Sequence, residues 1–355
     1  PSGNIAELFV IISLSKLVRS SRILTFIIPK KSLYGESWHA LRKIWLANDL
    51  HFLMDASQAF ENVLLEQSAF SIQKQPRSGR PIEIGSLDQI AGNVRIFGDF
   101  PLQDIFTPDL RNAQIYRGLY PRTLLKKIAA KSLINSSHLI KAEIGISNIT
   151  QHMTFDSEGN YPCLKGIDII RYGLKSNVRY LKDKVAQPYI SECEEDKIIG
   201  QEIIAHVQNP IPHIIITLFY DTMGRLCNDT CVVIKPIVKT LNKKFLLGYL
   251  QSTFCNWYAY NFIYNRAIRT MHLIDYYLKQ IPIPECVINE PEEQNPIIKV
   301  VDRILSIIES SDYLQNKSKQ GEVKELENQI DQIVYKLYGL TAEEIAIVEG
   351  HSEPD

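Results

Sequence analysis

The hydrophobic period of this chain changes twice along its length, which limits its architecture more than any single motif. Up to about residue 73, helical and extended spacings alternate. "AELFVIISLSKLV" repeats at helical intervals, "RILTFIIP" is an apolar run of strand length and "SWHALRKIWL" is amphipathic, while "LHFLMD" and "QSAFSIQ" are strand-like again. That order predicts the edge of a doubly wound α/β sheet, with a buried strand at "RILTFIIP". The aperiodic stretch "KQPRSGRPIEIGS" (residues 74–86) predicts a boundary. Beyond it the apolar runs shorten to "VRIFGDF", "HIIITLFYD" and "TCVVIKPIV", with a turn signal at Asp221-Thr-Met-Gly224 and a helix expected over "EDKIIGQEIIAHV". Near the end, Ile297, Val301, Ile304 and Ile308, then Val323, Leu326, Ile330, Ile333 and Leu337, fall at helical spacing. Gly339 is placed to end the second helix, and Thr341 with Glu344 forms a capping box for another. The expected class is therefore α+β, in three parts: residues 1–80, a mixed domain over 81–290, and a helical extension over 291–355.

Composition is that of an ordinary globular chain, at 45% hydrophobic and 22% charged residues. Runs such as "LFVIISL" are far short of the roughly 20 residues a membrane helix requires, and no cationic leader opens the chain. The six cysteines are scattered without zinc-finger spacing, so reduced thiols, a cytoplasmic location and no metal are expected. A net charge of −1 hides an asymmetry: residues 285–355 hold 16 acids and 6 bases, and the remainder holds 33 bases and 24 acids. A basic body behind an acidic tail is compatible with a nucleic-acid footprint and equally with a solvated helical tail.

Several chemistries are excluded. No two glycines are separated by a single residue, so no GxG turn is present to cradle a nucleotide or S-adenosylmethionine. The chain has no GKS or GKT, no HExxH and no GxSxG, and neither Asn-Pro pair continues into Pro and an aromatic residue. By itself the chain is not expected to be catalytic or to bind a cofactor.

Four separated stretches, in order, resemble the TaqI-like adenine-N6 DNA methyltransferases, including those within type II restriction–modification enzymes. "LTFIIPKKSLYGESWHALRKIWLANDLHFLMDASQAFENVLLEQSAF" is similar to the C-terminal half of the family's catalytic domain. "CLKGIDIIRYGLK" (residues 163–175) is similar to the L-x-G-x-D-I-x-R-Y signature of its recognition domain. "GYLQSTFCNWYAYNFIYNRAIRTMHLIDYYLKQIPIP" (residues 248–284) resembles its segment ending in IPIP, with Gln251-Ser252 where Asn-Ser is usual. "IDQIVYKLYGLTAEEIAIVEG" is similar to its terminal helix. The resemblance implies that residues 1–80 are the C-terminal edge of a methyltransferase sheet and residues 81–290 a DNA target-recognition domain. It also implies that the cofactor loop and NPPY tetrad belong to an N-terminal catalytic half of the parent polypeptide. That parent would transfer a methyl group from S-adenosylmethionine to adenine in double-stranded DNA, alone or fused to an endonuclease. A specificity subunit of a multisubunit restriction system, and a non-DNA interaction module, stay open as alternatives.

Phe60 takes by resemblance the place of the aromatic residue that stacks on the extruded adenine; a core Phe is the competing reading. Candidates for phosphate contact are Arg117, Arg122, Lys126 and Lys127, then Lys165, Arg171, Lys175 and Arg179, then Lys239, Lys243 and Lys244. An internal ion pair is the other reading of Asp168 and Arg171. With residues 245–264 taken as one helix, Leu246, Leu250, Phe254 and Trp257 form a core stripe. Tyr258, Asn261, Asn265, Arg266 and Arg269 then remain as a polar-tipped group suited to phosphates and base edges, or to the rim of a buried helix.

Overall fold

The computed structural model describes residues 4–57, 60, 63–87, 93–133, 138–175, 178–190, 193, 196–269 and 271–351. The chain divides into two units. Among the described residues, one gathers those up to Leu125 together with Tyr260–Ile268, and the other Lys126–Ala259 and those from Arg269 to His351.

In the first unit, α1 (Ile5–Ile12) begins where the Asn4 side chain accepts the Ala6 N–H at 2.9 Å. Strands β1 (Ile23–Pro29), β2 (Asp49–Asp55), β3 (Gln67–Gln73), β4 (Ile82–Leu87) and β5 (Val94–Phe100) form one sheet in the order β1-β3-β2-β4-β5. β3 is antiparallel to both β1 and β2, so those two are parallel to each other, and α2 (His39–Ala47) lies in the connection between them. Trp45 of α2 is fully buried with its ring 5.2 Å from that of Phe70 on β3. Beside it the buried Arg42 guanidinium donates to the Ser32, Gly35 and Leu110 carbonyls at 2.7–2.8 Å.

Two expectations need correction here. The stretch over residues 74–86 does not break the sheet, because β4 pairs with β2 and carries β5, so strands on both sides of it share one ladder. And β1 is an edge strand rather than a buried one: Ile23 and Ile27 are exposed, since no strand lies beyond it among the described residues.

In the second unit, β6 (Ile140–Ile144), β7 (Lys197–Gln201), β8 (Leu218–Asp221) and β9 (Cys231–Pro236) form an antiparallel sheet in the order β8-β7-β9-β6. β7 occupies the first half of the segment expected to be helical. It is a central strand with Lys197, Ile198, Ile199 and Gly200 all buried, so it lacks the alternation that would have marked it as extended. Gly200 is required there, since a Cβ would come within 2.3 Å of a Leu218 methyl group. Asn160–Leu164 lies between Tyr180–Lys182 and Leu226–Cys227 in a second small sheet.

The single helix expected over residues 245–264 is interrupted. α3 (Lys243–Leu250) stops at Gln251, and α4 (Thr253–Tyr258) restarts under a Ser252 cap, whose Oγ accepts the Cys255 N–H at 3.3 Å. The chain then runs into a π-helical turn, Ala259–Ile263. Leu246, Leu250, Phe254 and Trp257 are buried as predicted.

The end of the chain is helical, as its spacing predicted, with α5 (Asn295–Ile308), α6 (Lys317–Tyr338) and α7 (Ala342–Val348). On α6 the buried stripe begins with Val323, Leu326 and Ile330 but continues through Val334 and Tyr338 in place of Ile333 and Leu337. A stripe written at period 3.5 drifts on a 3.6-residue helix, so residues one position later take over. Gly339 ends α6 in the left-handed region at φ +62°, and Thr341 and Glu344 form the capping box, at 3.3 and 2.8 Å. The buried Asp331 of α6 caps α4 from outside, its carboxylate accepting the Thr253 N–H and hydroxyl at 2.7 and 2.6 Å. Asp331→Ala is expected to lower the unfolding free energy by about 1–3 kcal/mol in urea titration, because it leaves two donors without their acceptor. Among the described residues no helix is long and apolar enough to cross a membrane.

Candidate functional site

In open α/β sheets, ligands bind beyond the carboxyl ends of the strands. In the first unit that position holds a buried charge cluster. Pro29 closes β1, and Lys30 follows in a 3₁₀ turn, held by its N–H to the Glu66 carbonyl at 2.8 Å. The Lys30 ammonium reaches Asp55 Oδ2 at 2.7 Å, Glu66 Oε1 at 3.1 Å, Ser57 Oγ at 3.1 Å and the Arg266 carbonyl at 3.2 Å. Asp55, the last residue of β2, accepts the Ser57 N–H and hydroxyl at 2.8 and 2.6 Å and the Tyr116 hydroxyl at 2.5 Å. Glu66 Oε2 accepts the Ile268 N–H at 2.8 Å. Burial, and then the Asp55 carboxylate, push the Tyr116 phenol well above its ordinary pKa, so it stays a donor. Lys30, Asp55 and Glu66 are all buried, with one ammonium set between two carboxylates.

The Arg266 guanidinium lies 4.6 Å from the centre of the Tyr116 ring. It donates to Asn261 Oδ1 at 2.7 Å and to the Tyr120 hydroxyl at 3.0 Å, and the Tyr120 hydroxyl also donates to Asn261 Oδ1, at 2.7 Å. Asn265 and Arg266 both have positive φ, 48° and 55°. The buried Asn265 side chain supports this turn: its Oδ1 accepts the Ile115 N–H at 3.1 Å and its Nδ2 donates to Asn112 at 2.9 Å.

Between Ser57 and Glu66, the two ends held by Lys30, the described residues are apolar and open to solvent. Phe60 is 50% exposed, and Val63, Leu64 and Leu65 are exposed with it. Phe60 is therefore not the core residue that the competing reading supposed.

The other sequence-derived candidates separate by exposure and by partner. Lys126, Lys175, Lys239 and Arg269 are exposed. Arg122 is also exposed, with its guanidinium 5.4 Å from the Phe100 ring. Arg117 and Lys165 are half-buried, with Arg117 donating to Gln114 Oε1 at 2.9 Å. The remainder are tied internally. Lys127 pairs with Glu344 at 2.5 Å, Lys243 donates to the Asp196 carbonyl, and Lys244 pairs with Asp302 at 2.5 Å. The polar-tipped surface expected around Tyr258 and Asn261 is not a surface: both are buried, with Asn265, and Arg266 is half-buried. The polar atoms of Asn261, Asn265 and Arg266 find partners inside the protein, which helical spacing alone does not reveal.

The stretch "CLKGIDIIRYGLK" forms a compact frame. A 3₁₀ turn, Gly166–Asp168, leads into a tight hairpin between Ile169–Ile170 and Gly173–Leu174. Asp168 accepts the Lys165 N–H at 2.8 Å and pairs with Arg179, whose guanidinium lies 4.9 Å from the Phe155 ring. Arg171 pairs with Glu327 at 2.6 Å and donates to the Gln251 carbonyl at 3.0 Å. Asp168 and Arg171 are thus both held internally, though by other partners and not by each other. The two glycines are required by close approach: a Cβ on Gly166 would come within 2.5 Å of the Thr230 carbonyl oxygen, and one on Gly173 within 2.6 Å of an Ile308 methyl group. The Pro-Ile-Pro stop is likewise buried, with the Pro282 carbonyl accepting from the Tyr249 and Tyr338 hydroxyls.

Sequence reasoning missed the Lys30–Asp55–Glu66 cluster. A signal was present: a charge directly after each apolar strand, in "FIIPK" and "FLMD".

Residues 161–283, about a third of the chain, match the model of the TaqI-like C-terminal specificity domain, and that domain is present here. Comparison with curated proteins finds no match. Among solved structures, the fold is similar to that of the type IIL restriction–modification enzyme MmeI, solved in complex with DNA. The TM-score is 0.51 at 12% identity, covering 97% of this chain and 50% of MmeI. The type IIG restriction endonuclease BpuSI matches with a TM-score of 0.37 at 12% identity over 94% of this chain and 49% of its own. The HsdS subunit from Thermoanaerobacter tengcongensis matches with a TM-score of 0.29 at 14% identity over 61% of this chain and 50% of its own. This chain therefore spans about half the length of these neighbours.

Proposed function

We propose that this chain recognises a specific site in double-stranded DNA as the target-recognition part of a restriction–modification adenine-N6 DNA methyltransferase. The observation that carries the reading is the specificity-domain match over residues 161–283. The fold likeness to MmeI, an enzyme solved with DNA, supports it. The first unit, with the sheet that runs through β4 and β5, is read as the C-terminal edge of the methyltransferase domain, the second unit as contributing recognition, and residues 291–355 within it as a helical extension.

Three features of the first unit favour the methyltransferase part of this reading. β1 and β2 are parallel with α2 between them in sequence, as in a doubly wound sheet. The loop with the exposed Phe60 leaves the carboxyl end of β2, where an extruded base would be held. The open edge of β1, with α1 presenting Ile5, Leu8, Phe9 and Ile12 to solvent, is an apolar surface for the rest of such a sheet to cover. In this reading S-adenosylmethionine is bound by the catalytic half of the parent polypeptide, since no glycine-containing cofactor loop occurs here.

Titrating the chain with a random-sequence duplex at low and at high salt tests the DNA reading. Affinity should fall steeply as salt rises, because each phosphate contact releases counterions. An affinity indifferent to salt sinks it and favours a protein-interaction module.

A further inference from the structure

We infer that Lys30 is a positioning residue, whose buried ammonium clamps both stems of the loop between Ser57 and Glu66 and so holds Phe60 out for an extrahelical base. The inference rests on the proposed stacking role of Phe60.

The geometry is specific to that loop. On the outgoing stem, Lys30 holds Asp55 and Ser57, and Asp55 in turn fixes the Ser57 N–H. On the returning stem it holds the Glu66 carboxylate through its side chain and the Glu66 carbonyl through its own N–H. The Ala56 N–H closes the base of the loop onto the Gln67 carbonyl at 3.0 Å. Phe60, Val63, Leu64 and Leu65 are all exposed. Exposed apolar side chains supply no packing, so the fixed contacts among the described residues here are those of the two stems. The same ammonium contacts the Arg266 carbonyl, and Glu66 takes the Ile268 N–H, so the loop is also tied to the strained turn at Asn265 and Arg266. Lysine suits this position, because a compact point charge with three donors serves oxygens arriving from different directions, whereas a planar guanidinium does not.

The test uses the full chain. Amide exchange over residues 56–67, and the fluorescence of 2-aminopurine bulged from a duplex, are followed in the wild type, Lys30→Met, Lys30→Arg, Glu66→Gln and Phe60→Ala. Lys30→Met should speed exchange at residues 63–66 about tenfold or more while β1 and β3 keep their protection. Its 2-aminopurine response should fall to the level left by Phe60→Ala, with duplex affinity held within about twofold. Lys30→Arg should restore part of that response. Glu66→Gln keeps size and an acceptor for Ile268, and should open the same stem to a smaller degree even where Lys30→Met does not fold. Unchanged exchange at residues 63–66 in these variants, or an increase shared equally by β1 and β3, overturns the clamp. Opening of the loop with an intact 2-aminopurine response in Phe60→Ala supports the clamp and overturns the stacking role it serves.

Discussion

Phe254→Ala should cost roughly 3–5 kcal/mol of unfolding free energy, the usual range for deleting a buried aromatic ring. Phe254 is fully buried in α4, with its ring 4.2 Å from Tyr338 at the end of α6 and 6.0 Å from Trp257. Near-parallel stacking at that distance contributes beyond the area removed from water. Close packing around α4 also leaves little room for the cavity to collapse. Because domains are stable by only about 5–15 kcal/mol, the variant should unfold at much lower urea with a similar m-value. Phe254→Leu, which keeps most of the volume, should cost less than about 1.5–2 kcal/mol. A loss below about 1 kcal/mol for the alanine variant would mean that α4 and α6 do not share the core described here.

The second large effect concerns DNA. Lys126, Lys175 and Lys239 are exposed, whereas Lys127 and Arg171 are committed to Glu344 and Glu327. Each phosphate contact steepens the dependence of log affinity on log salt by about 0.9. If all three exposed lysines meet phosphate, replacing them with glutamine should flatten the slope by about 2.7 and lower duplex affinity about 10²–10³-fold near 0.1 M salt. Lys127→Gln and Arg171→Gln should instead lower stability and leave the slope unchanged, which makes them controls for folding. A triple variant with the wild-type slope would show that the footprint lies on other residues.

The contrast between these two sets of basic residues marks where sequence reading stops. From the sequence, Lys126 and Lys127 are equivalent neighbours, as are Arg171 and Lys175. Only the approach of α6 and α7 from more than 150 residues away assigns Glu327 to Arg171 and Glu344 to Lys127. The aromatic segment at residues 248–284 behaved similarly. Its apolar stripe was legible as core because burial follows the helical period. Its polar tips were not legible as core, because the groups that satisfy them, such as Tyr120 for Asn261, arrive from distant parts of the chain. β7 was misread as helix for a related reason: a strand buried on both faces has no period of two to read.

The sequence by itself determined the α+β class, most strands of the first sheet, the helical end with its Gly339 stop and Thr341 cap, and the resemblance that led to the specificity domain. These depend on local propensity, period and short-range capping, all written within a few residues of one another. The tertiary structure alone decided which charges are spent internally, where α3 gives way to α4, and that Lys30, Asp55 and Glu66 meet beneath the loop bearing Phe60. The physical reason is that a buried charge or polar tip is defined by its partner, and here the partners come from segments that meet only when the chain has folded.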